Sequence, residues 1–230
     1  MAVANHFDPV NRSVKDEAQK KLIGIDEEFF DSIFKLEKIL PRIDSTTQTG
    51  FVKRRYILEN LITYWESLHW AKESRKNGAM LLIDFEKAYA RIEWEYIIQM
   101  LHSLGFPAEF CRMVKTLLSD ANASVEVHGI RSPNFALTRL IRQGCPLALA
   151  LFVLVVDAMF YILKDFSITP PVKAISLPNR DEIVNIQFAD DTAILLNLEE
   201  DNLDALLKNI ELFCLASGSR IALHKSSLLG

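Results

Sequence analysis

The chain has 230 residues, of which 50% are hydrophobic and 24% are charged, and its formal net charge is −4. This length and composition predict a folded globular protein of one domain or at most two, and they exclude wholesale disorder. The net negative charge also departs from the basic character that is usual for a nucleic-acid-binding protein.

Charge is unevenly distributed along the chain. Residues 51–76 carry six Lys or Arg against three Glu, and residues 131–142 carry three Arg and no acid. Residues 181–204 instead hold eight acids and no base. Basic segments beside an acidic site suit a phosphate-bearing substrate, although solvated faces account for most such charge runs.

The cysteines and the apolar runs predict the cellular compartment. Cys111, Cys145 and Cys214 are scattered and lack metal-ligand spacing, so we expect reduced intracellular thiols. The first twenty residues are polar and show no signal peptide, which predicts a nuclear or cytoplasmic protein that is not secreted. The apolar run 147–163 is interrupted by Asp157 and is short for a membrane span, so we expect a buried helix and no membrane partner.

Periodicity predicts the elements of the first half of the chain. An acidic start at residues 26–28 favours an amphipathic helix through Phe34, and a strand Met80–Phe85 follows the Asn77-Gly78 turn. A hairpin is expected to turn at His128-Gly129, between strands at 124–128 and 135–140. Apolar residues at helical spacing predict helices over Ile57–Trp70, Ile92–Leu104 and Phe110–Leu118, the last opened by Pro107.

The second half alternates in the same way. A long apolar helix over 147–163 is followed by a loop to about Arg180 and by a strand hairpin over 184–196. A helix over Asn202–Ala216 ends at Ser217-Gly218, and a last short strand is expected at Ile221–Leu223. This order of strands and helices predicts an α+β domain with helices on one face of a small sheet.

Two adjacent carboxylates lie inside the second hairpin. Asp190 and Asp191 follow Phe188-Ala189 and are flanked on both sides by apolar residues. Unpaired buried charge is costly, so a compensating group is expected, and a divalent metal is the simplest one. Asp also favours turns for its own reasons, so the pair alone is weak support for a metal site.

A second apolar strand also ends in a carboxylate. The run Met80–Ile83 leads directly to Asp84, and two neighbouring strands would bring this residue close to Asp190 and Asp191. Three carboxylates around one point suit Mg²⁺, and a pair of such ions supports in-line attack at phosphorus in polymerases and nucleases. From spacing alone, unrelated turn aspartates remain an alternative.

Five short motifs follow one another along the chain: Thr47–Val52 with Arg55 and Ile57–Asn60, then Ile83–Tyr89, Arg142–Leu147, Phe188–Asp191 and Ser217–Ser226. Together they resemble the reverse transcriptase of non-LTR (LINE-type) retrotransposons, from about Leu40 to the C-terminus. In that family they correspond to the fingers motif, the first palm motif, the glycine motif before the long palm helix, the Asp-Asp motif and the stretch that closes the palm. One match would be prone to chance, whereas five in order are specific.

The resemblance implies a fold and a division of the chain. The fold would be α+β, with a polymerase palm-like (ferredoxin-like) antiparallel sheet packed on helices and a partial fingers segment. Residues 36–78 would belong to the fingers and 79–230 to the palm, with 1–35 unassigned and the thumb absent. The expected activity is that of an RNA-directed DNA polymerase, which transfers nucleotides to a primer 3′-hydroxyl by a two-metal mechanism.

The resemblance also assigns the metal site and the partners. Asp84, Asp190 and Asp191 would be the catalytic carboxylates, and Phe85 would join them in binding metal. The expected cofactor is Mg²⁺, as two ions that Mn²⁺ can replace. The expected partners are an RNA template, a DNA primer and deoxynucleoside triphosphates.

Further residues would contact the incoming nucleotide. Tyr89 corresponds to the steric-gate aromatic that excludes a ribose 2′-hydroxyl, and Arg55 would reach the triphosphate. Gln143 and Gly144 would lie under the nucleotide, where glycine allows close backbone approach. Lys225 is the candidate general acid for pyrophosphate. Without the resemblance, Tyr89 would be a core tyrosine, and Arg55 and Lys225 would be solvated side chains.

One departure from the family pattern bears on the fingers loop, and two other functions stay open. Arg54 stands where the family usually has glycine, which disfavours a positive φ at that position. The first alternative function is a truncated, inactive retroelement remnant that binds nucleic acid weakly at most. The second is a nuclease or phosphohydrolase with the same carboxylates, which would leave Tyr89 and the glycine motif without a role.

Overall fold

The computed structural model describes residues 40, 48–119, 121–141, 146–164, 170–175 and 185–229. The predicted helix that starts at 26–28 and the glycine motif at 142–145 lie outside these residues. The helices are α1 (Ile57–Glu73), α2 (Ala88–Arg91), α3 (Trp94–Ser103), α4 (Ala108–Leu118), α5 (Pro146–Lys164) and α6 (Glu200–Ser217). The strands are β1 (Gly78–Ile83), β2 (Asn122–Ala123), β3 (Glu126–Val127), β4 (Ile130–Arg131), β5 (Phe135–Ala136), β6 (Asn185–Phe188), β7 (Asp191–Asn197) and β8 (Ser227–Leu229).

Four strands form the central sheet in the order β6-β7-β1-β8, with all neighbours antiparallel. The β1–β7 ladder runs from Gly78 opposite Asn197 to Ile83 opposite Thr192. The predicted hairpin is confirmed as β6 and β7, joined by the two residues Ala189 and Asp190. The strand that was predicted at Ile221–Leu223 is wrong, because Ile221 forms only an isolated bridge to Phe85 and the last strand, β8, follows it.

Helices cover both faces of this sheet. Alternate residues of a strand point to opposite faces, and the two sets of β1 side chains belong to different apolar clusters. Ala79 and Ile83 join the main core, to which α3–α6 contribute, whereas Met80 packs with Ala71 of α1 in a smaller cluster. The α+β class expected from the sequence is therefore confirmed, but the expectation of helices on one face is wrong.

Helix α5 is the predicted long apolar helix, and it lies in the core. Phe152, Val155 and Met159 are almost inaccessible to solvent. The segment Leu147–Lys164 is long and apolar enough to cross a membrane, but 67% of it is buried inside the fold. That degree of burial is typical of the core helix of a globular protein.

The predicted hairpin around His128-Gly129 is confirmed only at its tip. Strands β3 and β4 pair across this turn, where His128 and Gly129 both have positive φ, whereas β2 pairs with β5 in a separate ladder. The predicted long strands are therefore two ladders of two residues each. Exposed apolar residues such as Val127 and Ile130 leave little burial to extend them.

Candidate active site

Asp84, Asp190 and Asp191, together called the aspartate site, lie at one end of the central sheet. The last pair of the β1–β7 ladder is Ile83 opposite Thr192, so one further step of the same register brings Asp84 opposite Asp191. Asp190 is the second residue of the β6–β7 turn, directly before Asp191. Antiparallel pairing thus brings together a carboxylate from each of two strands that are more than a hundred residues apart.

The charges of the aspartate site act on one another. The pKa of Asp191 is raised above its ordinary value of 3.8, first by partial burial and then by the negative charges of Asp190 and Asp84. Much of the Asp191 surface is nevertheless exposed, so solvent reaches the site. Two further carboxylates that disfavour the ionised form of Asp191 create a local demand for a cation.

Lys225 is a cation that the structure brings to this site. Its Nζ atom lies 3.6 Å from Oδ1 of Asp84, and both side chains are partly exposed. The backbone explains its position, because the N–H of Ala222 donates to the carbonyl of Asp84 at 2.8 Å. The N–H of Asp84 in turn donates to Oγ of Ser226 at 3.3 Å. The stretch from Ala222 to Ser226 is thus attached to the residue that carries the first carboxylate.

Tyr89 lies close enough to Asp190 for the charge of this carboxylate to act on its phenol. Burial raises the pKa of its hydroxyl group, and the charge of Asp190 raises it further, so the phenol stays protonated near this carboxylate. Its ring stacks on Phe152 of α5 at a centroid distance of 4.1 Å. The ring therefore packs on the core helix α5, and its hydroxyl group is within the electrostatic reach of Asp190.

The segment Gln48–Gly50 adds a short parallel connection to the outer edge of β6. Gln48 forms a bridge with Gln187, and the N–H of Thr49 donates to the carbonyl of Gln187 at 3.0 Å. Arg55, the residue predicted to reach the triphosphate, donates from its guanidinium to the carbonyl of Gln48 at 2.6 Å. This hydrogen bond holds the Arg55 side chain beside the segment Gln48–Gly50, which contacts the β6–β7 hairpin.

Three predicted site residues remain: Gln143, Gly144 and Phe85. Gln143 and Gly144 lie outside the described residues. Phe85 follows Asp84, but its side chain is buried and packs edge-on against Phe213. Only the backbone carbonyl of Phe85 could therefore serve a metal.

Three residues of the motifs have roles that the sequence did not reveal. Gln48 accepts hydrogen bonds at the Asp-Asp turn, Ser226 contacts the backbone of Asp84, and Asn60 donates to both Thr49 and the carbonyl of Gln187. Polar residues in motifs give no local signal of such contacts, because each joins segments distant in sequence. The complete burial of Gln48, visible only in the fold, is the signal that distinguishes it.

The residues of the aspartate site fit a divalent cation, although they do not form a closed cage. Among the described residues, no three or more His, Cys, Asp or Glu side chains are already arranged as a complete metal site. Mg²⁺ rarely uses such a cage, since it keeps several waters and is bound through one or two carboxylates together with substrate phosphates. The mutual repulsion at Asp191 is the feature that a cation would relieve.

Solved structures of telomerase share this fold. Apo telomerase from Candida tropicalis matches with a TM-score of 0.62 and 11% identity, covering 96% of this chain and 40% of that one. Telomerase from Candida albicans in complex with a TWJ fragment of telomeric RNA matches with a TM-score of 0.59 and 12% identity, covering 97% and 37%. The class of fold predicted from the sequence, a polymerase palm-like antiparallel sheet packed on helices, is confirmed.

Relatives among known proteins come from retroelements. The uncharacterized 149 kDa protein of transposon TX1 from Xenopus laevis is 27% identical over 193 residues, or 84% of this chain and 14% of that protein. The Pol polyprotein of the type-1 retrotransposable element R2 from Nasonia vitripennis is 26% identical over 166 residues, or 72% and 15%. The chain thus spans only a small part of the relatives it matches.

A family model described as reverse transcriptase (RNA-dependent DNA polymerase) matches residues 31–229. The chain belongs to this reverse transcriptase family, and the resemblance to non-LTR retrotransposon proteins is confirmed. Members of the family generally use divalent metal ions.

Proposed function

We propose that this chain is a catalytic domain that synthesises DNA on an RNA template by adding deoxynucleotides to a primer 3′-hydroxyl. One observation carries the proposal. In a chain of the reverse transcriptase family, the β1–β7 register brings Asp84 opposite Asp191, and Asp190 precedes Asp191 in the turn. Partial burial raises the pKa of Asp191 and the charges of Asp190 and Asp84 raise it further, which supports a shared electrostatic site.

The aspartate site would hold two Mg²⁺ ions, for which Mn²⁺ could substitute. Asp84, Asp190 and Asp191 would supply the carboxylates, with the backbone carbonyl of Phe85 as a further ligand. When bound, such ions lower the pKa of the primer hydroxyl and neutralise charge on the leaving pyrophosphate. The protein itself would mainly position the reacting groups, as is general in phosphoryl transfer.

The nucleotide would lie between the palm and the segment that carries Arg55. The Tyr89 ring, which stacks on Phe152, would exclude a ribose 2′-hydroxyl by bulk. The guanidinium of Arg55 suits a triphosphate, although its bond to the carbonyl of Gln48 would have to be shared or exchanged. Gln143 and Gly144 would lie under the incoming nucleotide, as the resemblance of their motif implies.

Lys225 would protonate the leaving pyrophosphate. Its ammonium group lies 3.6 Å from the Asp84 carboxylate, so it is within reach of a phosphate that is bound at the same carboxylate. A general acid typically accelerates such a step by about 10²- to 10⁴-fold. The turn from Ala222 to Ser226 would hold this lysine in place.

The proposed function also includes the partners of the chain, the polypeptide that it belongs to and its location in the cell. The natural partners would be an RNA template, a DNA primer and deoxynucleoside triphosphates. The relatives are retroelement proteins far longer than this chain, so it would act as one part of such a polypeptide. It would act inside the cell, in the nucleus or the cytoplasm, where Cys111 and Cys214 can remain free thiols.

Primer extension by the purified protein tests the proposal. An RNA template with an annealed DNA primer, Mg²⁺ and deoxynucleotides should yield extended primer, and Asp190→Ala should abolish it. Extension that survives Asp190→Ala would overturn the assignment of the aspartate site. Salt-sensitive binding of the duplex without extension would favour the inactive, binding-only alternative. Cleavage of the nucleic acid that depends on Asp190 would favour the nuclease alternative.

A further inference from the structure

The turn that carries Asp190 contains a residue in an unfavourable conformation. Ala189 has a φ of 56° and is 5% exposed, while Asp190 is not among the residues with positive φ. A positive φ at only the first residue of a two-residue hairpin turn is the pattern of a type II′ turn, where glycine is usual. Alanine adopts this conformation only where neighbouring contacts stabilise it, and those contacts also fix the backbone direction at Asp190.

Gln48 provides the holding contact. Its side-chain Oε1 accepts from the N–H of Gly50 at 2.8 Å and from the N–H of Ala189 at 3.3 Å. Both partners are donors, so the atom that faces them must be the amide oxygen. Gln48 is completely buried, and one side chain thus joins the fingers segment to the first turn residue across 141 positions of sequence.

The backbone around Gln48 is packed to allow this contact. A Cβ atom at Gly50 would lie 2.2 Å from the backbone nitrogen of Ala189, so only glycine permits the approach. Thr49 and Asn60 both hydrogen-bond to the carbonyl of Gln187, two residues before the turn. Because the backbone N–H of Thr49 makes its own bond to Gln187, the segment that carries Gln48 stays attached to β6 without the Asn60 side chain.

The other end of the Gln48 amide makes no comparable contact. Its Nε2 atom is buried and has no hydrogen-bond partner among the described residues. The acceptor oxygen is thus the part of the side chain that the fold uses. A residue of the same length without an acceptor should lose the contact. Glutamate, which burial and the nearby aspartates keep protonated and neutral, has an oxygen there and should retain it.

We propose that Gln48 is a positioning residue that holds Ala189 at its positive φ and thereby orients the carboxylates of Asp190 and Asp191 for a divalent cation. It does not touch substrate or metal, and it acts through the turn. This proposal deepens the proposed function and rests on it, because the orientation matters only if the aspartate site binds a metal. Substitution of groups that orient metal ligands typically costs about 10- to 100-fold in metal affinity or activity.

Metal binding by the purified chain tests the proposal apart from catalysis. Mn²⁺ affinity is measured by calorimetry for the wild type, Gln48→Met, Gln48→Glu and Gln48→Asn, with folding checked by circular dichroism at the same temperature. We expect Gln48→Met to bind Mn²⁺ about 10-fold or more weakly, Gln48→Asn to fall between, and Gln48→Glu to bind nearly as the wild type. If Gln48→Met does not fold, the milder Gln48→Asn supplies the measurement.

Asn60→Ala is the matched control for damage to the same junction. It removes the hydrogen bonds to Thr49 and Gln187 but leaves the contact between Gln48 and Ala189 intact. It should destabilise the fold without changing the Mn²⁺ affinity. Equal weakening of Mn²⁺ binding by Asn60→Ala and Gln48→Met would overturn the proposal in favour of a purely structural role.

Kinetics separate the failure of this proposal from failure of the proposed function. In primer extension, Gln48→Met should lower kcat and raise the Mg²⁺ concentration for half-maximal rate, with KM for primer–template unchanged. Wild-type Mn²⁺ affinity in Gln48→Met would overturn the role of Gln48 while leaving the polymerase intact. A wild type that binds Mn²⁺ but extends no primer would overturn the proposed function, and the binding series would still test Gln48.

Discussion

Substitution of Lys225 separates an ion pair that stabilises the fold from a group that acts in the reaction. Lys225 and Asp84 approach to 3.6 Å, with side chains 59% and 37% exposed. An ion pair this exposed is worth about 0–1 kcal/mol, so Lys225→Ala should lower the free energy of unfolding by less than about 1 kcal/mol. Loss of a general acid should instead slow nucleotide addition by about 10²- to 10⁴-fold, or about 3–5 kcal/mol of barrier.

Two further variants make this prediction specific. Lys225→Arg keeps the positive charge but cannot readily release a proton, so it should stay as slow as Lys225→Ala. Lys173 and Glu199 form a matched surface ion pair at 3.4 Å, and Lys173→Ala should have the same small effect on stability with no effect on rate.

The assays are urea unfolding followed by circular dichroism and single-nucleotide addition under single-turnover conditions. A full rate in Lys225→Arg would reduce the role of this residue to charge alone. A loss of more than about 2 kcal/mol of stability in Lys225→Ala would exceed what an exposed pair supplies and would refute the energetic reasoning.

Three other substitutions give measurable outcomes. Arg54→Gly should raise the free energy of unfolding by about 0.5–1 kcal/mol, because relief of roughly 1–2 kcal/mol of strain at positive φ exceeds the entropic cost of glycine. Lys53→Gly relieves no such strain and should lower the free energy of unfolding in the same urea titration. Tyr89→Ala should reduce discrimination against ribonucleotides by about 10- to 200-fold in competitive incorporation, and unchanged discrimination would contradict the gate. The pKa of Asp191 is raised in the folded protein, so its protonated form favours folding. This contribution to the free energy of unfolding is complete below pH 3.8 and is lost as the pH rises through the folded pKa. Asp191→Asn should therefore stabilise the metal-free protein near neutral pH and not at about pH 3. Equal effects of Asp191→Asn at both pH values would show that the pKa of Asp191 does not influence the free energy of unfolding.

The helices and the Asp-Asp hairpin could be predicted because their signals are local. Apolar spacing gave α1, α4, α5 and α6 to within a few residues, and apolar flanks around two aspartates predicted β6 and β7. The short β ladders and the last strand were mispredicted, since few of their residues are buried and local pattern therefore says little about pairing. At Arg54 the residue type itself was misleading, because arginine disfavours a positive φ and the structure has a φ of 67° there.

The residue types needed for a metal site, and their order along the chain, were readable before any fold was known. Their spatial relation was decided by tertiary structure alone. The β1–β7 register brings Asp84 opposite Asp191, and the contact of Gln48 with Ala189 joins segments 141 residues apart. Neither has a local signature, because strand pairing and close packing depend on which surfaces the whole chain buries together, and a shift of one residue in register would turn Asp84 away from its partners.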